Sequence, residues 1–161
     1  LTVLKDPNTA GSEADLAAQV AYLEAVREDV VAAGEAVKRV EVLRVQLQSL
    51  LRFTEDEDVK EAGAALAQKL EDLQMVMVDL RLTGQGQDGV RFGSQLLQKL
   101  GYLTRNVSVA DFPPTDQDIE AHQLIHGRLV EHLTAMDAVV ASDVADLNAL
   151  LESKGLGGIG N

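Results

Sequence analysis

The feature of this sequence that most restricts its fold is the spacing of its apolar residues. In four segments they recur at intervals of three and four residues, which places their side chains on one face of an α-helix. The clearest stripe belongs to the second segment and consists of Val59, Gly63, Leu66, Leu70, Leu73, Met77 and Leu80. Only residues 2–4 have the composition of a strand, and one strand cannot form a sheet. The sequence therefore predicts an all-α protein.

Capping residues indicate where the first two predicted helices, A and B, begin. The hydroxyl of Ser12 can accept hydrogen bonds from the free amides of helix A, and Asp15 completes a capping box three residues later. Helix A is expected to cover about 40 residues. Thr54 and Glu57 form the predicted capping box of helix B.

The third and fourth predicted helices, C and D, differ in length. Helix C is short and carries its apolar stripe between residues 96 and 107. Helix D begins after Thr115, because two prolines end the preceding segment, and runs for about 40 residues to a stop near Gly155. The chain is accordingly divided into an extended lead-in, a helical bundle and a glycine-rich tail, at 1–11, 12–154 and 155–161.

Two arrangements of these helices are compatible with their lengths. In the first, C turns back along B, which gives an antiparallel four-helix bundle with A and D antiparallel and both chain ends together. In the second, B and C form one broken helix, which gives a three-helix bundle with A and D parallel. We favour the first, because the start of A and the end of D are both rich in alanine and small faces can approach closely. The predicted core residues are Leu66, Leu70, Leu73, Leu100, Leu129, Leu133 and Met136.

The charge of the chain limits its partners. Lysine and arginine number 14 against 26 aspartates and glutamates, so the net charge is 14 − 26 = −12. This charge argues against a nucleic-acid binder, which needs a basic surface for phosphates. The absence of cysteine excludes thiol catalysis and disulfides. No apolar run approaches the roughly 20 residues of a membrane span.

All three histidines lie in the segment 115–132. His122 and His126 are four residues apart on the apolar stripe of helix D, whereas His132 lies off that stripe. Such a pair can hold a metal ion, but the zincin motif has a glutamate where Gln123 stands, and no further histidine lies outside helix D. We therefore predict partly buried, hydrogen-bonded histidines and no metal. The alternative is a metal-dependent or carboxylate-based enzyme that uses both histidines and an acidic residue of a facing helix.

No other motif indicates catalysis or a cofactor. Nothing places a serine on a strained turn beside a base. The segments 84–89 and 155–160 match GxGxxG as strings, but each follows a predicted helix, whereas the dinucleotide fingerprint follows a strand. We interpret both segments as helix stops and predict a protein that is not an enzyme.

The order of the elements resembles the C-terminal helical region of large bacterial BNR-repeat β-propeller proteins, often labelled sortilin-like or glycosyl-hydrolase-like. The resemblance is carried by the lead-in "VLKDP", the helix start "DFPPT" and the ending "LNALL". It implies that "LTVLKDP" is the exit from the last propeller strand and that the chain is a piece of a longer protein. It also implies export to the periplasm or the cell surface.

The resemblance implies a role without catalysis. The expected function is that of a helical appendage of a propeller protein, acting in protein–protein association or intramolecular packing. The expected partner is its own propeller domain or another protein subunit, and self-association into a homo-oligomer is a further alternative.

Overall fold

The structure is a computed structural model that describes residues 4–84 and 86–160. All regular elements in these residues are helices, so the predicted all-α class is confirmed. The predicted strand at 2–4 lies outside the described residues, except for Leu4. Helix α1 spans Glu13–Phe53, and helix α2 follows at Glu57–Met77.

The second half of the chain contains shorter helices and one long helical stretch. Helix α3 (Asp88–Arg91) is a single turn, and helix α4 spans Leu96–Val107. Helices α5 (Asp116–Val139) and α6 (Ala145–Ser153) are joined by a π-helical turn, Val140–Val144. Together α5, the π turn and α6 form one continuous stretch, named here the C-terminal helix.

Two of the predicted helix starts are confirmed. The Ser12 hydroxyl accepts a hydrogen bond from the Asp15 amide at 3.1 Å, and the Asp15 carboxylate accepts from the Ser12 amide at 2.8 Å. Thr115 and Asp118 form the equivalent reciprocal pair at the start of α5, with distances of 3.2 and 3.0 Å. Both pairs satisfy backbone amides that lack a partner within the helix.

The predicted capping box of helix B is wrong. α1 continues to Phe53, so Thr54 ends that helix, and its amide donates to the carbonyl of Leu50. The cap of α2 is Asp56, whose carboxylate accepts from the amides of Asp58 and Val59. An aspartate is as good a cap as a threonine, and this one lies closer to the start of the helix.

The two middle helices run in the same direction along α1. α2 begins beside the end of α1, where Gly63 approaches Leu51, and passes Arg44 farther along. α4 then ends beside the start of α1, where the Gln19 side chain reaches the carbonyl of Val107 at 2.8 Å. Helices α2 and α4 therefore form one broken helix antiparallel to α1.

The C-terminal helix runs parallel to α1. Near its start, the carbonyl of Asp118 accepts a hydrogen bond from the Tyr22 hydroxyl at 3.0 Å. Farther along, Asp137 forms an ion pair with Arg39 at 2.7 Å. These contacts advance along both helices in the same direction, so the predicted antiparallel four-helix arrangement is wrong. The contacts agree with the alternative arrangement, a three-helix bundle whose middle helix is broken into α2 and α4.

The predicted packing of the alanine-rich start of helix A on the end of helix D is wrong, because most of these alanines do not face another helix. In the first half of α1 and in the second half of the C-terminal helix they are mainly exposed, and Ala33 is the buried exception. Alanine is common at exposed helix positions because of its high helix propensity, not only at close contacts. The exposed alanines are Ala14, Ala17, Ala18, Ala21, Ala135, Ala138, Ala141, Ala145 and Ala149.

The observed arrangement is favoured because it covers most of the apolar stripe of α1. α1 has 41 residues and a length of about 60 Å. α2 and α4 placed end to end contribute 21 and 12 helical residues, or about 50 Å, and so cover most of that length. In the antiparallel arrangement, only one helix would cover the first half of α1, where Tyr22 and Val26 are buried.

The predicted core residues lie in the interior. Five are buried, and the remaining two, Leu73 and Leu133, are partly buried and pack against the same cluster. The π turn lies where the stripe of the C-terminal helix has two successive intervals of four residues, from Met136 to Val140 and Val144. A wider turn keeps these side chains on the face that contacts α1 and α2.

The residues that flank the bundle, Gly11 and Gly160, lie far apart. Gly11 packs against the backbone of Asp111, beside the start of α1. After α6 the tail folds back, Ile159 is buried, and the amide of Gly160 donates to the Gln46 side chain at 2.7 Å. Gln46 lies about 50 Å along α1 from its first turn. The predicted proximity of the chain ends is therefore wrong, because it depended on the antiparallel arrangement.

None of the helices in residues 4–84 and 86–160 has the length and apolar character needed to cross a membrane.

Candidate functional site

Two histidines of α5 and one aspartate of α1 meet where the parallel helices contact each other. His122 Nε2 lies 2.9 Å from Asp29 Oδ2. His126 Nδ1 lies 2.9 Å from Asp29 Oδ1 and 3.0 Å from Oδ2. Because an ionised carboxylate only accepts hydrogen bonds, both ring nitrogens donate to Asp29. We name these three residues the Asp–His–His cluster.

The positions of these residues on their helices explain why they meet. His122 and His126 are four residues apart, so they lie on successive turns of one face of α5. Asp29 lies three residues after Val26 and four before Ala33, both of which are fully buried. All three cluster residues therefore lie on the faces through which α1 and the C-terminal helix pack.

The cluster is closed on one side and open on the other. The side chains of Asp29 and His122 are 9% and 13% exposed, whereas that of His126 is 54% exposed. The ring of Tyr22 contacts His122 edge-on, with the ring centroids 5.4 Å apart. His126 is therefore the member of the cluster that faces solvent.

Tyr22 forms part of the wall of the cluster. Burial raises the pKa of Tyr22, and the nearby charge of Asp118 raises it further. The hydroxyl therefore stays protonated at neutral pH and donates to the carbonyl of Asp118. This bond fixes the ring that packs against His122.

The third histidine is not part of the cluster. His132 Nε2 lies 2.7 Å from the carbonyl oxygen of Leu73, so His132 connects the C-terminal helix to α2. This placement agrees with its predicted position off the apolar stripe.

The Asp–His–His cluster brings together three side chains that can bind a metal ion. One ligand atom from each residue lies within 4.8 Å of the other two. Within the described part of the chain, no other group of three or more histidines, aspartates or glutamates comes this close. The two histidines were candidates from the sequence, but Asp29 was not named. Its signal was the position of an acidic residue between Val26 and Ala33 on the buried stripe of α1.

A second surface feature lies farther along the same pair of helices. An open groove of about 500 Å³ runs between α1 and the C-terminal helix at the π turn. Its apolar wall includes Val42, Leu43, Val140 and Val144, and Ile159 of the tail lies at its edge. The charged side chains that line it are Glu35, Lys38 and Arg39.

No protein-family model matches this chain, and no curated protein or solved structure shows significant similarity to it. The helices and the cluster define a three-helix bundle with a histidine–carboxylate site. The resemblance to the helical region of BNR-repeat propeller proteins stays a prediction.

Proposed function

We propose that this chain is a non-catalytic helical module of a larger propeller protein and acts in protein–protein association or intramolecular packing. Its partner in this proposal is the propeller domain of the same protein or a neighbouring subunit. The resemblance on the sequence supports this assignment, and with it an exported protein in the periplasm or at the cell surface.

The observation that carries the proposal is a row of exposed apolar side chains on α1. Val20, Val31, Val42 and Phe53 follow one another at intervals of 11 residues and are 52%, 48%, 48% and 76% exposed. Since 11 residues make just over three helical turns, these side chains lie along one side of the helix. We name this row the valine stripe. Neighbouring members of the row lie about 16 Å apart along the helix. In this proposal, a partner segment laid along α1 would contact them one after another.

The groove at the π turn supports the same role. Val42 belongs both to the valine stripe and to the wall of the groove. An apolar side chain of a partner can enter the groove, while Glu35, Lys38 and Arg39 offer charged contacts around it. Apolar centres with polar rims are the usual composition of protein interfaces. The net charge of −12 makes a protein partner more favourable than a nucleic acid.

Site-specific photocrosslinking in the whole polypeptide that contains this chain tests the proposal. A photoreactive amino acid at position 42 should crosslink to a propeller domain of the same polypeptide or to a neighbouring subunit, identified by mass spectrometry. The matched control carries the same amino acid at Ala64, an exposed position of α2. Equal crosslinking from both positions, or no crosslinking from position 42, would contradict the proposal.

A further inference from the structure

We propose that the Asp–His–His cluster is a binding site for a divalent transition-metal ion of the zinc class. Asp29 would supply a carboxylate oxygen, His122 its Nε2 and His126 its Nδ1. The site is separate from the valine stripe, so it does not depend on the proposed function.

The donor atoms select the kind of metal. Two imidazole nitrogens and one carboxylate oxygen suit zinc and its neighbours, whereas magnesium and calcium prefer sites made of oxygen ligands. Zinc sites with three protein ligands leave a fourth position for water. Because the His126 side chain is 54% exposed, that water would lie on the solvent side of the cluster.

The distances in the cluster are close to those of a metal site. Zinc lies about 2.0–2.1 Å from nitrogen and oxygen ligands, so two donors of a tetrahedral site are about 3.3 Å apart. The nitrogens of His122 and His126 lie 2.9 Å from the nearest Asp29 oxygens. All three ligand atoms lie within 4.8 Å of one another, so in this proposal the three side chains adjust to reach these distances.

Metal binding exchanges each hydrogen bond for a coordinate bond. The Nε2 of His122 and the Nδ1 of His126 would each give a lone pair to the ion, and each ring would carry its proton on the other nitrogen. The ion takes the neutral form of each imidazole and the ionised form of the carboxylate. The net charge of −12 on the chain further raises the local concentration of cations.

The competing interpretation is that the two histidines only satisfy the buried carboxylate. Hydrogen bonds from both rings meet the requirement that a buried charge be paired. Only the metal-site interpretation predicts that an ion binds between the two ring nitrogens and the carboxylate. Metal binding by the wild type and by variants that stay folded therefore distinguishes the two interpretations.

Calorimetric titration of the chelator-treated protein, free of any polyhistidine tag, with Zn²⁺ tests the proposal. One ion per chain should bind, and Asp29→Asn and His126→Gln should each weaken binding by at least about tenfold. His132→Gln, which removes the histidine outside the cluster, is the matched control and should bind like the wild type. Circular dichroism checks that every variant is folded.

Spectroscopy identifies the ligand atoms. Co²⁺ in place of Zn²⁺ should give the strong visible absorption of a four- or five-coordinate site, which Asp29→Asn removes. The ¹⁵N NMR signals of His122 Nε2 and His126 Nδ1 should shift on addition of Zn²⁺. Absence of one-to-one binding, or equal affinity in the wild type, Asp29→Asn and His126→Gln, would overturn the proposal.

Discussion

Four polar side chains are buried among the described residues, and three of them connect two helical segments of the chain. Gln19 reaches the end of α4, Asp29 holds two histidines of α5, and Gln74 accepts a hydrogen bond from Arg44. Asp79 accepts hydrogen bonds within the turn that follows α2. No buried side-chain nitrogen or oxygen in the described residues lacks a partner. These bonds specify how the helices are arranged, since an unpaired buried polar group is costly.

The buried carboxylate of Asp79 should make the stability of the fold depend on pH. Hydrogen bonds from the Arg81 guanidinium lower the pKa of Asp79 from 3.8 to about 2, against the opposing effect of burial. Because the folded-state pKa lies below the unfolded one, the carboxylate stabilises the fold above about pH 4. This contribution is lost as the pH falls from about 4 to about 2.

The Asp79→Asn variant should therefore unfold at a lower urea concentration than the wild type at pH 7. The difference between their midpoints should shrink between pH 4 and pH 2. Glu61→Gln, at an exposed position of α2, controls for the loss of one negative charge. A difference for Asp79→Asn that stays constant down to pH 2 would be inconsistent with this role.

Among the helices, α2 and α4 together take the place of one long helix beside α1. α2 ends at Met77, and the segment 78–95 connects it to α4 through a turn held by Asp79 and Arg81. Arg81 also lies over the ring of Phe92, 4.4 Å from its centre. α4 then resumes the direction of α2, and Gln19 binds its last turn. The break thus interrupts the helix without reversing the chain.

The side chain of Gln19 links α1 to the end of α4, and replacing it tests how much this link stabilises the fold. Its Nε2 donates to the carbonyls of Val107 at 2.8 Å and Ala110 at 2.5 Å. Gln19→Glu replaces that donor with a carboxylate that faces two acceptors, which should lower the free energy of unfolding at pH 7 by about 1–3 kcal/mol. Gln48→Glu, at an exposed position of α1, should have little effect. Urea denaturation of both variants provides the measurement, and equal losses would refute the contact.

At the scale of the whole molecule, the sequence predicts the class and the elements better than their arrangement. The three- and four-residue spacing is local, so it correctly identified four helical segments and the buried face of α4. The caps at Ser12 and Thr115 were also visible, because a capping box needs only four consecutive residues. The core leucines followed from the same spacing.

The direction of the C-terminal helix depends on contacts between distant residues, which local spacing does not encode. The pairs Tyr22–Asp118 and Arg39–Asp137 involve polar side chains that could equally have faced solvent. Asp29 was missed for the same reason, because its role depends on two histidines more than 90 positions later. The parallel arrangement is what brings Asp29 to His122 and His126.

Spin-label distances measured by pulsed electron paramagnetic resonance test this arrangement most directly. The chain has no cysteine, so labels at Ala21→Cys and Ala145→Cys, both exposed positions, are specific. Arg39 pairs with Asp137, an offset of 137 − 39 = 98, which places Ala145 opposite residue 47 and 26 residues from Ala21. At 1.5 Å per residue, the parallel arrangement predicts about 40 Å for this pair. Labels at Ala21→Cys and Ile119→Cys should be about 20 Å apart or less. A short distance for the first pair and a long one for the second would contradict the parallel bundle.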